Sequence, residues 1–151
     1  MKKKIFIDSD VLLDVIFKRE PFFIHSHKIL SLIEQNIFQG YTSSLIIANC
    51  YYIISSNSNA KIAHKSVNKL RALLTVLPLT DKEIHESLNS NFKDFEDGVE
   101  YFIAINNGIR TIITRNISDY KKVDINIFSP NNFLNLQKIK NKIEKIEKTV
   151  N

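Results

Sequence analysis

Acidic residues in this sequence recur where predicted strands end and predicted helices begin. Asp8 directly follows the apolar run Ile5-Phe6-Ile7, which we interpret as a strand buried on both faces. In an open α/β sheet, ligands bind beyond the carboxyl ends of the strands, so Asp8 stands where chemistry is commonly done. A carboxylate in that position carries a large desolvation cost unless a metal ion or a base pairs with it. Asp8 is therefore the first candidate functional residue.

Two more acids lie in the helix predicted after this strand. Asp10 is well placed to cap that helix, because its side chain can accept a hydrogen bond from a free amide of the first turn. Capping is the role we favour for Asp10, and an accessory role beside Asp8 is the alternative. Asp14 lies one turn beyond Asp10 on the same face, where a solvated position on the helix surface is an equally ordinary interpretation.

The remaining candidate acids lie far along the chain. Asp94 and Asp97 share one face at the start of a predicted helix. Asp119 follows a predicted strand and should reach the same sheet edge as Asp8. Ordinary roles stay open, with Asp94 as a helix cap, Asp97 as an acid favoured by the helix dipole and Asp119 as a loop residue. Oxygen ligands without a usable Cys or His favour Mg²⁺ or Mn²⁺ over zinc.

The order of apolar runs predicts the elements that position these acids. Strands are predicted at residues 5–7, 40–43, 76–79, 111–114 and 125–128, with helices between them. This alternation predicts parallel βαβ units and a three-layer α/β/α sandwich with a mostly parallel central sheet of about five strands. Residues 1–136 form one domain in this interpretation. Residues 137–151 form a charged helical tail whose apolar side packs on the domain or contacts a partner.

Composition predicts a basic globular domain. The 151 residues include 21 Lys and Arg against 16 Asp and Glu, a net charge of +5. A basic body around an acidic pocket suits a nuclease that needs a metal ion, because carboxylates alone would repel the phosphate that they cleave. The single Cys50 lies in an apolar run, which predicts a buried, unreactive thiol and a reducing compartment. No signal peptide or membrane span is visible, so we expect a cytoplasmic protein.

Four motifs follow one another in the chain: Ile5 to Asp14, Thr42 to Asn49, Asp94 to Asp97 and Ile113 to Asp119. In this order they resemble the motifs of the PIN-domain ribonucleases. The resemblance spans roughly residues 4–136, and the order of all four motifs is far more specific than any one of them. Within that family the chain is most similar to the small single-domain toxins of bacterial type II toxin–antitoxin modules (VapC-like).

The resemblance implies a metal-dependent endoribonuclease. Asp8, Asp97 and Asp119 match the acidic pocket that holds one or two Mg²⁺ or Mn²⁺ ions, and Asp94 matches a frequent accessory acid. The resemblance also implies an RNA substrate, an antitoxin that covers the pocket and a homodimer. Thr114 and Asn116 match polar residues that line the site in similar sequences. We expect Arg115 to hold the RNA backbone.

One departure from the family pattern keeps other functions open. The family usually has Glu on the helix where this chain has Asn49, so a neutral amide replaces a charged catalytic group. A PIN-like module that binds RNA or protein without cutting is therefore an alternative. A phosphatase of the haloacid dehalogenase type, with Asp8 and Asp10 as nucleophile and acid, is a third interpretation, but the chain has no clear later Lys and paired-acid motif for it.

Overall fold

The structure, a computed structural model, describes residues 2–120 and 123–150 and contains one sheet of five strands. The strand order is β3-β2-β1-β4-β5, and every neighbouring pair is parallel. The predicted parallel sheet is thus confirmed, with the first strand at its centre. The strands are β1 (Lys3–Ile7), β2 (Phe38–Ser43), β3 (Thr75–Leu77), β4 (Thr111–Ile113) and β5 (Asn126–Phe128).

Helices flank this sheet and begin where the sequence supplies capping side chains. Ser43 and Asn59 each accept a hydrogen bond from a first-turn amide, and Thr80 with Glu83 forms a capping box. A short 3₁₀ helix covers Ile117–Tyr120. The α-helices are α1 (Ser9–Ile16), α2 (Phe23–Glu34), α3 (Ser44–Asn57), α4 (Ala60–Leu73), α5 (Asp81–Leu88), α6 (Phe95–Asn106) and α7 (Pro130–Val150).

The direction of the chain across the sheet creates a crevice beside β1. The chain runs outward from β1 to β3 and then crosses back to β4 and β5 on the other side of β1. Because such crossovers are right-handed, the helices before β3 and the pair α5 and α6 cover opposite faces. The strand order therefore reverses between β1 and β4, and ligands of such sheets bind at the carboxyl ends of the strands at that point.

The core explains why β1 lies at the centre. Ile5, Phe6 and Ile7 are fully buried, as are Ile112 and Ile113 on the neighbouring strand β4. Burial of each of these side chains is worth about 1.5–3 kcal/mol relative to exposure. The two strands that carry the crevice are thus the most firmly packed part of the sheet, and residues that follow them are held in fixed positions.

The C-terminal helix differs from the predicted tail. α7 runs unbroken from Pro130 to Val150 and so crosses the predicted boundary at residue 136. Only Pro130 and Phe133 of this helix are buried. The expectation that the tail's apolar side packs on the domain is wrong, because Ile139, Ile143, Ile146 and Val150 are 50–80% exposed. The division into domain and tail itself stays a prediction.

The length and hydropathy of the helices show whether any of them could cross a membrane. Among the helices in residues 2–120 and 123–150, we find none whose length and apolar content would allow it to span a bilayer.

Candidate active site

Asp8 lies at the point where the strand order reverses. Its backbone amide donates to the carbonyl of Ile113 at 3.0 Å, which ties the carboxyl ends of β1 and β4 together. Its side chain is 6% exposed, and Oδ1 accepts the amide of Ser9 at 2.7 Å. Asp8 is therefore the cap of α1, and the prediction that Asp10 caps this helix is wrong. The helix starts directly at the end of the strand, which leaves Asp10 inside the first turn.

The second carboxylate oxygen of Asp8 faces the segment after β4. Oδ2 accepts the hydroxyl of Thr114 at 2.9 Å and lies 3.4 Å from the hydroxyl of Tyr120. Burial raises the pKa of Asp8, and these hydrogen bonds oppose that rise. Asp8 is thus a buried acid with donors on one side and no cationic side chain among its hydrogen-bond partners in the described ranges.

Asp10 joins α1 to the same segment. Its Oδ2 accepts the amide of Arg115 at 3.0 Å and lies 3.4 Å from the hydroxyl of Thr114, while its Oδ1 is buried without a hydrogen-bond partner. Burial and then the charge of Asp8 raise the pKa of Asp10 to about 6. Asp10 therefore holds the turn after β4 against the start of α1.

Asp14 is fully buried, so the alternative of a solvated helix residue is wrong. Its two oxygens accept Nε and Nη2 of Arg115 at 2.6 and 3.0 Å, and Arg19 lies 3.8 Å away. The guanidinium of Arg115 also stacks on the ring of Phe22, 3.9 Å from its centroid. Arg115, predicted to hold RNA, therefore also anchors the chain after β4 to α1 and α2.

Asp97 approaches the same place from α6. Asp94 caps this helix, with Oδ1 accepting the amide of Asp97 at 3.0 Å, as the capping interpretation predicted. Burial is the main cause that raises the pKa of Asp97 to about 7. The charges of Asp8, Asp94 and Asp119 and a hydrogen bond with Asp119 contribute to the same rise. Gly98 lets α6 approach α5 closely, because a Cβ there would lie 2.2 Å from Oγ of Ser87.

The residues after β4 complete the cluster. Asp119 is exposed in the 3₁₀ turn, and the buried Thr114 accepts the amide of Asn116 at 3.1 Å. Asn116 is exposed. The charges of Asp8 and Asp119 both act on Asp97, so the structure brings each of these two acids near Asp97.

Asn49 stands apart from these contacts. It is half-buried on α3, and its amide makes no hydrogen bond within the described part of the chain. Its neighbour Cys50 is a buried free thiol, as predicted, with a pKa raised to about 12 by burial and then by the charge of Asp8. The charge of Asp8 therefore acts on this turn of α3.

Two residues near the cluster were missed from the sequence. Glu100 is 3% exposed on α6, and its Oε1 accepts the hydroxyl of Ser43 at 2.9 Å. Its Oε2 is buried and has no hydrogen-bond partner in the part of the chain that the structure describes. The pKa of Glu100 is raised to about 8, mainly by burial and also by the charges of Asp8, Glu96 and Asp97. Its position three residues after Asp97, on one helix face, was the available signal. Tyr120 was missed although it directly follows Asp119.

The donor set fits a hard divalent cation by its chemistry. Oxygen atoms of carboxylates are the ligands that Mg²⁺ and Mn²⁺ prefer. The charges of neighbouring acids add to the effect of burial in raising the pKa of Asp10, Asp97 and Glu100, and a bound cation would offset them. In residues 2–120 and 123–150, however, no three His, Cys, Asp or Glu side chains already converge closely enough to enclose a metal ion. A bound cation is therefore a matter for proposal.

Comparison with known proteins assigns the family. The sequence model of the PIN domain matches residues 4–118. The chain belongs to the PIN-domain family. This membership decides against the phosphatase interpretation of Asp8 and Asp10.

Individual proteins are similar to this chain over most of its length. Ribonuclease VapC1 of Aquifex aeolicus (strain VF5) is 26% identical over 136 residues, which are 87% of this chain and 93% of that protein. A toxin–antitoxin complex from Klebsiella pneumoniae contains a chain with a TM-score of 0.63 and 14% identity, covering 83% of this chain and 96% of that one. VapC20 of Mycobacterium tuberculosis, a sarcin-ricin loop cleaving toxin, has a TM-score of 0.58 and 11% identity, covering 72% and 86%.

The raised pKa values predict that the metal-free protein loses stability as pH rises from 5 to 8. Unfolded carboxyl groups titrate near pH 4, so the folded state keeps protons on Asp10, Asp97 and Glu100 that the unfolded state has lost. The free energy of unfolding therefore falls as pH rises towards 8. Urea unfolding in chelator at pH 5, 6, 7 and 8 measures this fall, and Asp97→Asn should reduce it. A free energy of unfolding that rises over this range would contradict the electrostatic description.

The ion pair outside the cluster predicts a loss of stability on Asp14→Asn. The substitution removes the buried charge that pairs with Arg115. Because that guanidinium is 26% exposed, we expect the free energy of unfolding to fall by about 2–3 kcal/mol, which is below the range for a fully buried pair. Urea unfolding beside the exposed control Asp124→Asn measures the difference. Equal stability of the two variants would show that the pair does not anchor the segment.

Proposed function

We propose that this PIN-domain protein is a metal-dependent endoribonuclease and the toxin of a type II toxin–antitoxin module. The observation that carries the proposal is that Asp8 follows the central strand at the point where the strand order reverses, and that its charge and that of Asp119 both act on Asp97. The similarity to a protein named as a ribonuclease, over 93% of that protein's length, supports the activity.

In this proposal each polar residue of the site has a defined task. Asp8, Asp97 and Asp119 hold Mg²⁺ or Mn²⁺, which when bound supplies Lewis-acid activation of water and stabilises charge at the scissile phosphate. Asp94 positions Asp97 by accepting its amide, and Thr114 positions Asp8 by donating to it. Asp10 fixes the turn after β4. Asn116 lies exposed in that turn, where it can contact the substrate.

RNA binding is proposed for the basic surface around the pocket. Arg115 is one residue from Thr114, and its guanidinium is 26% exposed, so a phosphate can reach the face that Asp14 does not occupy. The net charge of +5 adds a general attraction for a polyanion, which should weaken as salt increases. A specific cut would require a single-stranded or loop region, where bases are open to contact.

An antitoxin is the proposed protein partner. A chain similar to this one occurs in a solved toxin–antitoxin complex, which supports such a partner here. A basic side chain inserted among Asp8, Asp97 and Asp119 would neutralise them and exclude substrate. We further propose a homodimer and a cytosolic location, where reducing conditions keep Cys50 a free thiol.

A second candidate function is a PIN-like module that binds RNA or protein without cutting it. The observation that favours it is the neutral Asn49 on α3, at the position where the family usually supplies a carboxylate. The two functions differ in whether folded, partner-free protein cleaves RNA.

The proposal predicts metal-dependent cleavage that is lost in Asp97→Asn. Total bacterial RNA incubated with purified protein and Mn²⁺ or Mg²⁺ should give discrete fragments, and chelator should prevent them. Removal of the Asp97 charge should lower the rate by at least 100-fold, which corresponds to about 2.7 kcal/mol in the barrier. The matched control is Asp124→Asn, because this exposed acid precedes β5 at the opposite sheet edge.

Two outcomes of that experiment would contradict the nuclease. Cleavage retained by Asp97→Asn would refute the assignment of this residue. No cleavage with either ion, from folded protein free of a partner, would favour the binding module.

A further inference from the structure

The carboxylate of Glu100 is the buried acid that the proposed metal site has not yet used. It is 3% exposed and lies among residues of α6 that pack in the core, including Val99 and Ile103, both fully buried. A position of this kind normally holds an apolar side chain, because a buried charge is costly unless it is paired. A reason specific to the carboxylate is therefore required.

Ser43 accounts for only one of the two oxygens of Glu100. Its hydroxyl donates to Oε1 at 2.9 Å, and the same hydroxyl caps α3 by accepting the amide of Ile46 at 3.0 Å. Oε2 is buried and has no hydrogen-bond partner among residues 2–120 and 123–150. A neutral Gln would satisfy Ser43 equally well through its carbonyl oxygen, so the hydrogen bond alone does not explain an acid with a second, unpartnered oxygen.

The position of Glu100 places its carboxyl group beside the proposed metal site. Glu100 follows Asp97 by three residues, which puts both on one face of α6. Ser43 ends β2 at the carboxyl edge of the sheet, beside the end of β1 where Asp8 stands. The charges of Asp8 and Asp97 both act on the Glu100 carboxyl group. Glu100 thus shares its surroundings with two of the three proposed metal ligands.

The neutral side chain at position 49 offers a reason for the buried carboxylate at position 100. α3 carries the neutral Asn49 beside Cys50, and the charge of Asp8 reaches Cys50. Relative to the family pattern, α3 therefore lacks a carboxylate at position 49, while α6 carries the buried carboxylate of Glu100.

We propose that Glu100 is the fourth carboxylate of the cation site and compensates for Asn49, with Ser43 as its positioning residue. This inference rests on the proposed metal-dependent function. Glu100 would hold the cation together with Asp8 and Asp97, and its Oε2 would then have a partner.

The test measures Mn²⁺ affinity directly, by isothermal titration calorimetry of the full chain at pH 7.5 with Mn²⁺ as the only added ligand. Glu100→Gln keeps the acceptor for Ser43 and removes the charge, and we expect it to weaken Mn²⁺ binding about 10-fold or more. The matched control is Glu96→Gln on the same helix, because Glu96 is exposed and its loss should change affinity less than about threefold.

A double-mutant cycle with Asn49→Glu tests the compensation. Asn49→Glu alone should change Mn²⁺ affinity less than about threefold, because the wild-type site already has four carboxylates. The same change in the Glu100→Gln background should restore most of the lost affinity. Circular dichroism and urea unfolding in chelator show that each variant is folded. If Glu100→Gln does not fold, the titration of Asn49→Glu alone tests the inference. A gain in Mn²⁺ affinity of 10-fold or more in that variant would overturn it.

The remaining outcomes separate the inference from the proposed function. Mn²⁺ binding by the wild type and equally by Glu100→Gln would overturn the role of Glu100 and leave the metal-dependent nuclease standing. Failure of the wild type to bind Mn²⁺ would overturn the metal dependence and, with it, the role of Glu100.

Discussion

Repulsion among buried and half-buried carboxylates is the constraint on which the rest of this structure depends. Folding carries the buried Asp8 and Glu100 and the half-buried Asp97 to one edge of the sheet, where the charge of Asp8 acts on both of the others. Each of these groups would be ionised in water at neutral pH, so the fold places them where their charged forms are disfavoured. The stability needed to hold them there comes from the apolar centre of the sheet, where Ile5, Phe6 and Ile7 of β1 and the isoleucines of β4 are fully buried.

Hydrogen-bond donors fix these acids without neutralising them. Asp8 accepts the amide of Ser9 and the hydroxyls of Thr114 and Tyr120, all of which are neutral groups. The cationic Arg115 is instead engaged by Asp14, one turn further along α1. The ion pair thus anchors the turn after β4 while it leaves the acidic cluster unpaired. This separation suits a site whose counter-charge is a metal ion, because an internal salt bridge would compete with that ion.

The sequence predicted the sheet and most of the acids because the signals for them are local. The run Ile5-Phe6-Ile7 indicates a central strand wherever it occurs, and an acid directly after it falls at the ligand edge. The cap of α1 was assigned wrongly because Asp8 and Asp10 are equally good capping residues. Only the residue at which the helix begins distinguishes them, and a pattern defines helix ends poorly.

The features that the sequence did not predict depend on distant partners. Asp14 meets Arg115 across 101 positions of the chain, and Glu100 meets Ser43 across 57. The exposed stripe of α7 is a different case, since periodicity shows that a face is apolar without showing what covers it.

The central claim is that the acids gathered beside β1 form a cation site, and the location of a bound ion tests it most directly. Anomalous diffraction from crystals of the protein grown in excess Mn²⁺ identifies manganese without reference to activity. The electrostatic cluster predicts a peak bonded by carboxylate oxygens of Asp8 and Asp97. Well-ordered density for these side chains with no manganese peak between them would contradict the claim.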